Sequence, residues 1–311
     1  MTDKRSRSLD RTNSLLADKI LHWLPEPGQL QTAIDGFSLS RIDEIPHVGR
    51  CFYQPVIGVV IQGAKRSVLG TKKFEYEKNQ CLLVGVDLPG VFRITKASPE
   101  EPFLGITLSL DRYLVASLAA ETLRTAELPA CSGEGAAVAT AEPEILDAFF
   151  RLTELLEYPE RIQVLAPLFI REIHYRLLIG NQGEWLKKFC AAESNGNQIS
   201  RAIVWLQENY QKPLSVESLA KMINMAPSTF HRHFREVTSI SPLQYQKRLR
   251  LYEARRLMLT TNENAALVGF MVGYESQTQF NREYRRLFGQ PPHRDTASLW
   301  AGQPTEPRTD S

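Results

Sequence analysis

Apolar positions along this chain change their spacing twice. Residues 9–24 (LDRTNSLLADKILHWL) carry apolar side chains at helical spacing and stop at Pro25, with Gly28 behind it, which predicts an N-terminal helix. Between about 34 and 110 the pattern shortens to the runs FSLSRI, VIGVVIQG, RSVLG, KFEYE, QCLLVGV, VFRIT and FLGITLSL, most of them separated by Gly, Pro, Asn or Asp. That spacing predicts an antiparallel barrel or sandwich, with Gly70-Thr71-Lys72-Lys73 as a hairpin connection. Helical spacing returns after Leu110. Asp111 caps a short helix through Glu121, and 124–142 reads as a loop. Pro143 then opens a helix through Glu157, and Arg161–Ile179 forms a second, stopped by Gly180-Asn181. A pair this rich in Leu, Ile and Phe must pack on the barrel or on a second subunit. The small polar stretch Ala191–Asn197 reads as a linker.

Seven helices are expected after the linker, and two stretches among them are one motif written twice. Ala220, Asn224 and Met225 match Gly269, Gly273 and Tyr274 at an offset of 49. Phe230, Arg232, Phe234 and Arg235 match Phe280, Arg282, Tyr284 and Arg285 at an offset of 50, so the extra residue falls in the second turn. In each copy the second helix divides into two faces. Phe230, Phe234 and Val237 point inward, and Ser228, His231, Arg232 and Arg235 outward. The second copy places Phe280, Tyr284 and Phe288 inward and Gln277, Thr278, Asn281, Arg282 and Arg285 outward. Guanidinium groups reach guanine edges and amides reach adenine, so both outward faces suit a DNA major groove. Between the copies, Ser241-Pro242 opens a helix to about Leu259, whose 18 residues span roughly 27 Å, enough to hold two recognition helices near the one-turn separation of about 34 Å. Its Lys247, Arg248, Arg250, Arg255 and Arg256 divide between phosphate contacts and solvated surface.

Charge follows the same division. Residues 1–200 hold 22 Lys+Arg and 25 Asp+Glu, residues 201–295 hold 14 and 8, and 296–311 hold 1 and 2. A basic C-terminal domain fits double-stranded DNA as partner. No signal-peptide run or membrane-length apolar stretch appears, which excludes a membrane role and makes the bacterial cytoplasm, on the nucleoid when DNA is bound, the expected location. Cys51, Cys81, Cys131 and Cys190 lie far apart without metal spacing and read as isolated thiols.

The segments LSVESLAKMINMAPSTFHRHFREVTSISPLQYQKRLRLYEARRLML and VGFMVGYESQTQFNREYRRLFGQPP resemble the two halves of the AraC/XylS-type DNA-binding domain over about 201–292. By that resemblance the base-contacting positions are Ser228, His231 and Arg232, then Gln277, Thr278 and Arg282. Two positions depart from the pattern: Asn224 replaces a turn Gly, and Gly269 replaces an Ala at a cost of roughly 1 kcal/mol in helix propensity. The segments TAIDGFSLSR, YQPVIGVVIQGAKRSVLG, YEKNQCLLVGVDLP, ASPEEPF, LSLD and FIREIHYRLLIGNQG resemble an N-terminal module of the same family over about 31–185. This implies a cupin-like barrel that binds a small effector, followed by helices that dimerise.

The expected chain is therefore α+β. It comprises a cupin-like antiparallel β-barrel with a helical pair over 1–190, a linker at 191–197, an all-α domain with two helix-turn-helix units over 198–295, and a disordered tail at 296–311. Its expected function is sequence-specific, effector-responsive regulation of transcription by a homodimer formed through 143–180, with RNA polymerase a further candidate partner. Tyr53, Gln54, Gln62, Lys65, Tyr76 and Arg93 are the polar or aromatic candidates for effector contact. Two alternatives compete. Cys51 and Cys81 could make the barrel a redox or electrophile sensor. A metal-dependent cupin enzyme is disfavoured, because of six histidines only His47 lies in the strand region and no H-x-H or nucleophile elbow appears. No catalytic residue, metal or cofactor is assigned.

Overall fold

The computed structural model describes residues 2–45, 48–122, 134–190, 195–261 and 263–301. Contacts divide the chain into two compact units, residues 1–201 with 228–240, and residues 202–227 with 241–311.

The first unit contains two antiparallel sheets. One has six strands in the order β1 (Gly28–Gln31), β2 (Phe37–Ile42), β9 (Phe103–Ser109), β4 (Val56–Gln62), β7 (Gln80–Val84) and β10 (Ala136–Thr140). The other has four, in the order β3 (Val48–Tyr53), β8 (Leu88–Lys96), β5 (Ala64–Leu69) and β6 (Lys72–Glu77). All seven expected strand runs are strands. β1, β3 and β10 were not among them, and β10 corrects the expected loop over 124–142, whose residues 123–133 lie outside the described ones. These three have one property in common: each is an edge strand with a single paired neighbour. An edge strand is half-solvated and carries less apolar signal than a central one.

Period-2 alternation gives the six-stranded sheet two chemically different faces. Phe37 and Leu39, Ile57, Val59 and Ile61, Cys81 and Leu83, and Leu104, Ile106 and Leu108 are buried in one core with Leu16 and Ile20 of α1 (Thr2–Trp23). The same core takes Ile145, Phe149 and Leu152 of α3 (Pro143–Glu154) and Ile173 and Leu177 of α4 (Ile162–Ile179). The opposite face carries Ser38, Ser40, Phe103 and Thr107, with Ser38 and Thr107 sharing a hydrogen bond of 2.5 Å. The helix pair expected over 143–179 thus packs on the barrel. Asp111 caps α2 (Arg112–Thr122) by accepting from the Tyr113 and Leu114 amides at 2.9 and 3.0 Å. His174 on α4 ties to the same turn: its Nε2 accepts from the Asp111 amide at 3.0 Å, which leaves Nδ1 to donate to the Ile170 carbonyl at 2.8 Å. Burial holds this imidazole below its ordinary pKa, consistent with a neutral structural role. A further helix, α5 (Gly183–Cys190), was not expected.

The helices after the barrel are α6 (Asn195–Glu208), α7 (Val216–Met222), α8 (Pro227–Thr238), α9 (Pro242–Thr261), α10 (Ala265–Met271), α11 (Gln277–Phe288) and α12 (Pro292–Ala301). Among the described residues they number seven, as expected. α6 begins inside the expected linker, whose residues 191–194 lie outside the described ones. α12 corrects the expected tail: 296–301 are helical, and 302–311 lie outside the described residues. In the second unit Leu251, Ala254 and Met258 of α9 bury against Val268, Tyr274, Phe280, Tyr284 and Phe288. Arg255 clamps α12 through both oxygens of Asp295 (2.7 and 3.0 Å), which also accepts from the Tyr284 hydroxyl at 2.8 Å. No helix among the described residues is long and apolar enough to cross a membrane.

Candidate nucleic-acid interface and effector cavity

The two sequence copies are built from the same local bonds. Ser215 caps α7, its hydroxyl accepting from the Ser218 amide at 3.2 Å. Asn264, 49 residues on, caps α10 by accepting from the Leu267 amide at 2.9 Å. Each helix then ends in a left-handed residue, Asn224 at φ +56° and Gly273 at φ +93°. Each turn closes with an amide reaching back five residues: Met225 N–H to Ala220 O at 2.9 Å, and Tyr274 N–H to Gly269 O at 3.0 Å. Asn is the residue other than Gly that best tolerates this region, so the departure at 224 keeps the turn. Four residues, 223–226, separate α7 from α8, and five, 272–276, separate α10 from α11. The added residue lets Ser276 cap α11, accepting from the Gln279 amide at 3.4 Å. Gly269 also has a packing reason: a Cβ there would stand 3.2 Å from the Phe280 ring, itself buried edge-on between Tyr274 and Tyr284.

With the turns fixed, the second helices sort their side chains. Phe230, Phe234 and Val237 are buried on α8, and Phe280, Tyr284 and Phe288 on α11. Ser228, His231, Arg232 and Arg235 are exposed, as are Gln277, Thr278, Arg282 and Arg285, while Asn281 is half-buried. His231 and His233 diverge as their spacing requires. His233 is buried, with Nδ1 against Glu236 Oε2 at 2.8 Å, which leaves Nε2 to accept from Arg232 at 3.4 Å. His233 thus steadies the Arg232 guanidinium, a role the sequence reading missed. On α11, Glu283 ties the helix to Lys247 of α9 and to Tyr274. Burial opposes its ionisation, but hydrogen bonds from Lys247, Gln279 and Tyr274 outweigh that and hold its carboxyl below the ordinary range.

The cations of α9 need a correction, because the protein's own acceptors occupy four of the five. Lys247 pairs with Glu283 at 2.7 Å, and Arg256 with Glu253 at 2.6 Å. Arg255 holds Asp295. Arg250 donates to the carbonyls of Tyr210 and Gly273 at 2.7 Å and to those of Gln211 and Lys212 at 3.1 Å. It therefore joins the connection before α7 to the turn after α10, with four of its five N–H groups committed to the fold. Arg248 is half-buried, and desolvation lowers its pKa.

A cavity of about 960 Å³ lies in the first unit, lined by Ser40, Cys51, Tyr53, Lys65, Phe92 and Thr107 among others. Of the six expected effector residues, only Tyr53 and Lys65 line it. Gln54 and Arg93 are exposed, the Gln62 amide donates to the Pro102 carbonyl at 2.9 Å, and Tyr76 is buried behind Ser67, with oxygens 2.9 Å apart. Ser40, Phe92, Phe103 and Thr107 were missed. The available signal was strand phase, since hydroxyls at alternate positions of otherwise apolar strands mark a face that is not ordinary core. Cys51 lines the cavity, but burial pushes its thiol up to about 11. Cys81 sits in the helix-side core with its thiol pushed up to about 12. Neither is a reactive thiolate. Cys131 and His47 lie outside the described residues, and among the described ones no group of three or more His, Cys, Asp or Glu could hold a metal.

The sequence profile for the N-terminus of AraC-type transcriptional regulators matches residues 33–185, and that for a helix-turn-helix domain matches 219–297. By these two matches the chain belongs to the AraC/XylS family. Among its relatives is the HTH-type transcriptional activator RhaS of Pectobacterium atrosepticum, 29% identical over 34% of this chain and 40% of that protein. RhaS of Escherichia fergusonii is 26% identical over 52% of this chain and 58% of that protein, and the HTH-type transcriptional regulator GbdR of Pseudomonas aeruginosa is 28% identical over 36% and 30%. These matches span about a third to three-fifths of each relative's length. Unsaturated-fatty-acid-bound ToxT of Vibrio cholerae has a similar fold: TM-score 0.57, covering 86% of this chain and 97% of that one at 10% identity.

The paired turns of this regulator make a direct prediction. Gly273→Ala forces a Cβ into the left-handed region and into the Gln211 carbonyl, and should cost about 2–3 kcal/mol in chemical denaturation. Asn224→Gly should change stability by no more than about 0.5 kcal/mol. Equal effects at the two positions would contradict this account of the turns.

Proposed function

We propose that this AraC/XylS-type regulator binds an asymmetric DNA site, placing α8 and α11 in successive major grooves, and that a small molecule in the barrel cavity controls that binding. The observation that carries the reading is the pair of like turns presenting unlike faces: Ser228, His231 and Arg232 on one, Gln277, Thr278 and Arg282 on the other. The scaffold is repeated and the sequence read is not. Arg235, Asn281 and Arg285 flank these triplets and complete the contact set. α9 acts as a spacer rather than a phosphate clamp: its 20 residues span about 30 Å, while its cations serve the fold. Residues 1–190 take the effector and dimerise, and residues 198–295 bind DNA. Dimerisation is supported by α4, which exposes Val164 (69%), Leu168 (58%) and Ile179 (59%) along one side, four and eleven residues apart. RNA polymerase contact and cytoplasmic location belong to the same proposal.

Competition binding at physiological salt should show an operator preferred over random DNA by at least about 10³-fold. A ratio near one would leave a nonspecific architectural protein. Arg232→Ala or Arg282→Ala should cost about 1–3 kcal/mol at one or two base positions while the others keep their preference. Unchanged base preferences in operator selection for both variants would refute the assignment. For the dimer, Leu168→Glu should convert the protein to monomer in sedimentation velocity, and a dimer that survives it would place the interface elsewhere.

A further inference from the structure

The barrel cavity is lined by two cations, Arg41 and Lys65. Lys65 Nζ lies 4.2 Å from the centroid of the Phe92 ring and 5.9 Å from that of Tyr53, and forms no ion pair among the described residues. The other cation of the lining, Arg41, is committed: it grips both oxygens of Asp43 at 2.9 and 2.8 Å and donates to the Leu24 and Pro25 carbonyls. The protic groups beside Lys65 carry no charge. Burial pushes the Cys51 thiol up to about 11 and drives the Tyr53 and Tyr76 phenols well above their usual range. Tyr53 and Tyr76 hydroxyls bond the same Ser67 hydroxyl, each at 2.9 Å. Glu26 and Glu44 join Asp43 in the lining, on segments that carry no lining residue of the second sheet.

An ammonium removed from water without an anionic partner is costly, and two aromatic faces compensate only part of that cost. Burial accordingly lowers Lys65 to about 8, which still leaves it mostly protonated at neutral pH. The surroundings complete a ligand shape. The rings of Phe92 and Phe103 are apolar, and Ser40 and Thr107 supply hydroxyls from the opposite sheet. We propose that the cavity takes an organic monoanion, a carboxylate on an apolar body, with Lys65 as its counter-charge. The proposal rests on the reading of the barrel as the effector site and adds the chemical class of the effector. A charge-assisted bond discriminates an acid from its neutral isostere.

The test uses the full-length protein with three acids, benzoate, 2-naphthoate and octanoate, and their matched amides, titrated by calorimetry. At least one acid should bind about tenfold or more tighter than its amide, and Lys65→Met should abolish that difference while Lys65→Arg retains most of it. Unliganded Lys65→Met should unfold at the same denaturant concentration as wild type or higher, because a buried charge without an anion has been removed; this also reports that the variant is folded. Amides that bind as tightly as their acids, or a preference that survives Lys65→Met, would overturn the anion assignment and leave the cavity as an effector site. No binding by any acid or amide would count against both.

Discussion

The left-handed turn, closed by an amide reaching back five residues, is the constraint on which the helix-turn-helix part of this chain depends. It occurs at Asn224 and again at Gly273, with the same cap 49 residues apart at the head of each preceding helix. The helix that follows each turn divides into a buried and an outward side. Phe230 and Phe280 occupy matching inward positions, and Arg232 and Arg282 matching outward ones. The single inserted residue of the second turn does not disturb this. It is absorbed by giving α11 its own cap at Ser276. Specificity can then vary on the outward face without touching the scaffold.

The barrel applies a different device to a similar end. A strand has two faces at a period of two, and the six-stranded sheet uses one for the helix-side core and the other for a cavity. Ile57, Val59 and Ile61 belong to the first, while Ser40, Phe103 and Thr107 belong to the second. The stability of the unit therefore resides on the helix side, where α1, α3 and α4 exclude water. The cavity side is free to hold polar groups that a packed core would not accept, Lys65 foremost among them.

Much of this was legible without coordinates. The repeat, its offset, the two faces of α8 and α11 and the central strands all appear as periodicities, because burial on one side leaves a regular apolar record. The elements that escaped notice are those without such a record. β1, β3 and β10 are edge strands, and β10 is built from the small residues AAVAT. The α9 arginines were misjudged for a related reason. A guanidinium bonded to four carbonyls looks, in sequence, like one offered to phosphate, and only the fold brings Tyr210, Gln211, Lys212 and Gly273 around Arg250. Arg93 lies on β8 but outside the cavity lining, because residue type alone does not reveal which face of a strand meets a cavity.

The central claim is that two unlike faces on one repeated scaffold engage DNA together. Hydroxyl-radical footprinting of the full-length protein on a selected operator tests it most directly. The account predicts two protected patches on one side of the duplex, about 10 base pairs apart, with different sequences beneath them. Arg282→Ala should weaken one patch and leave the other. A single patch, or two patches over identical sequence, would contradict it.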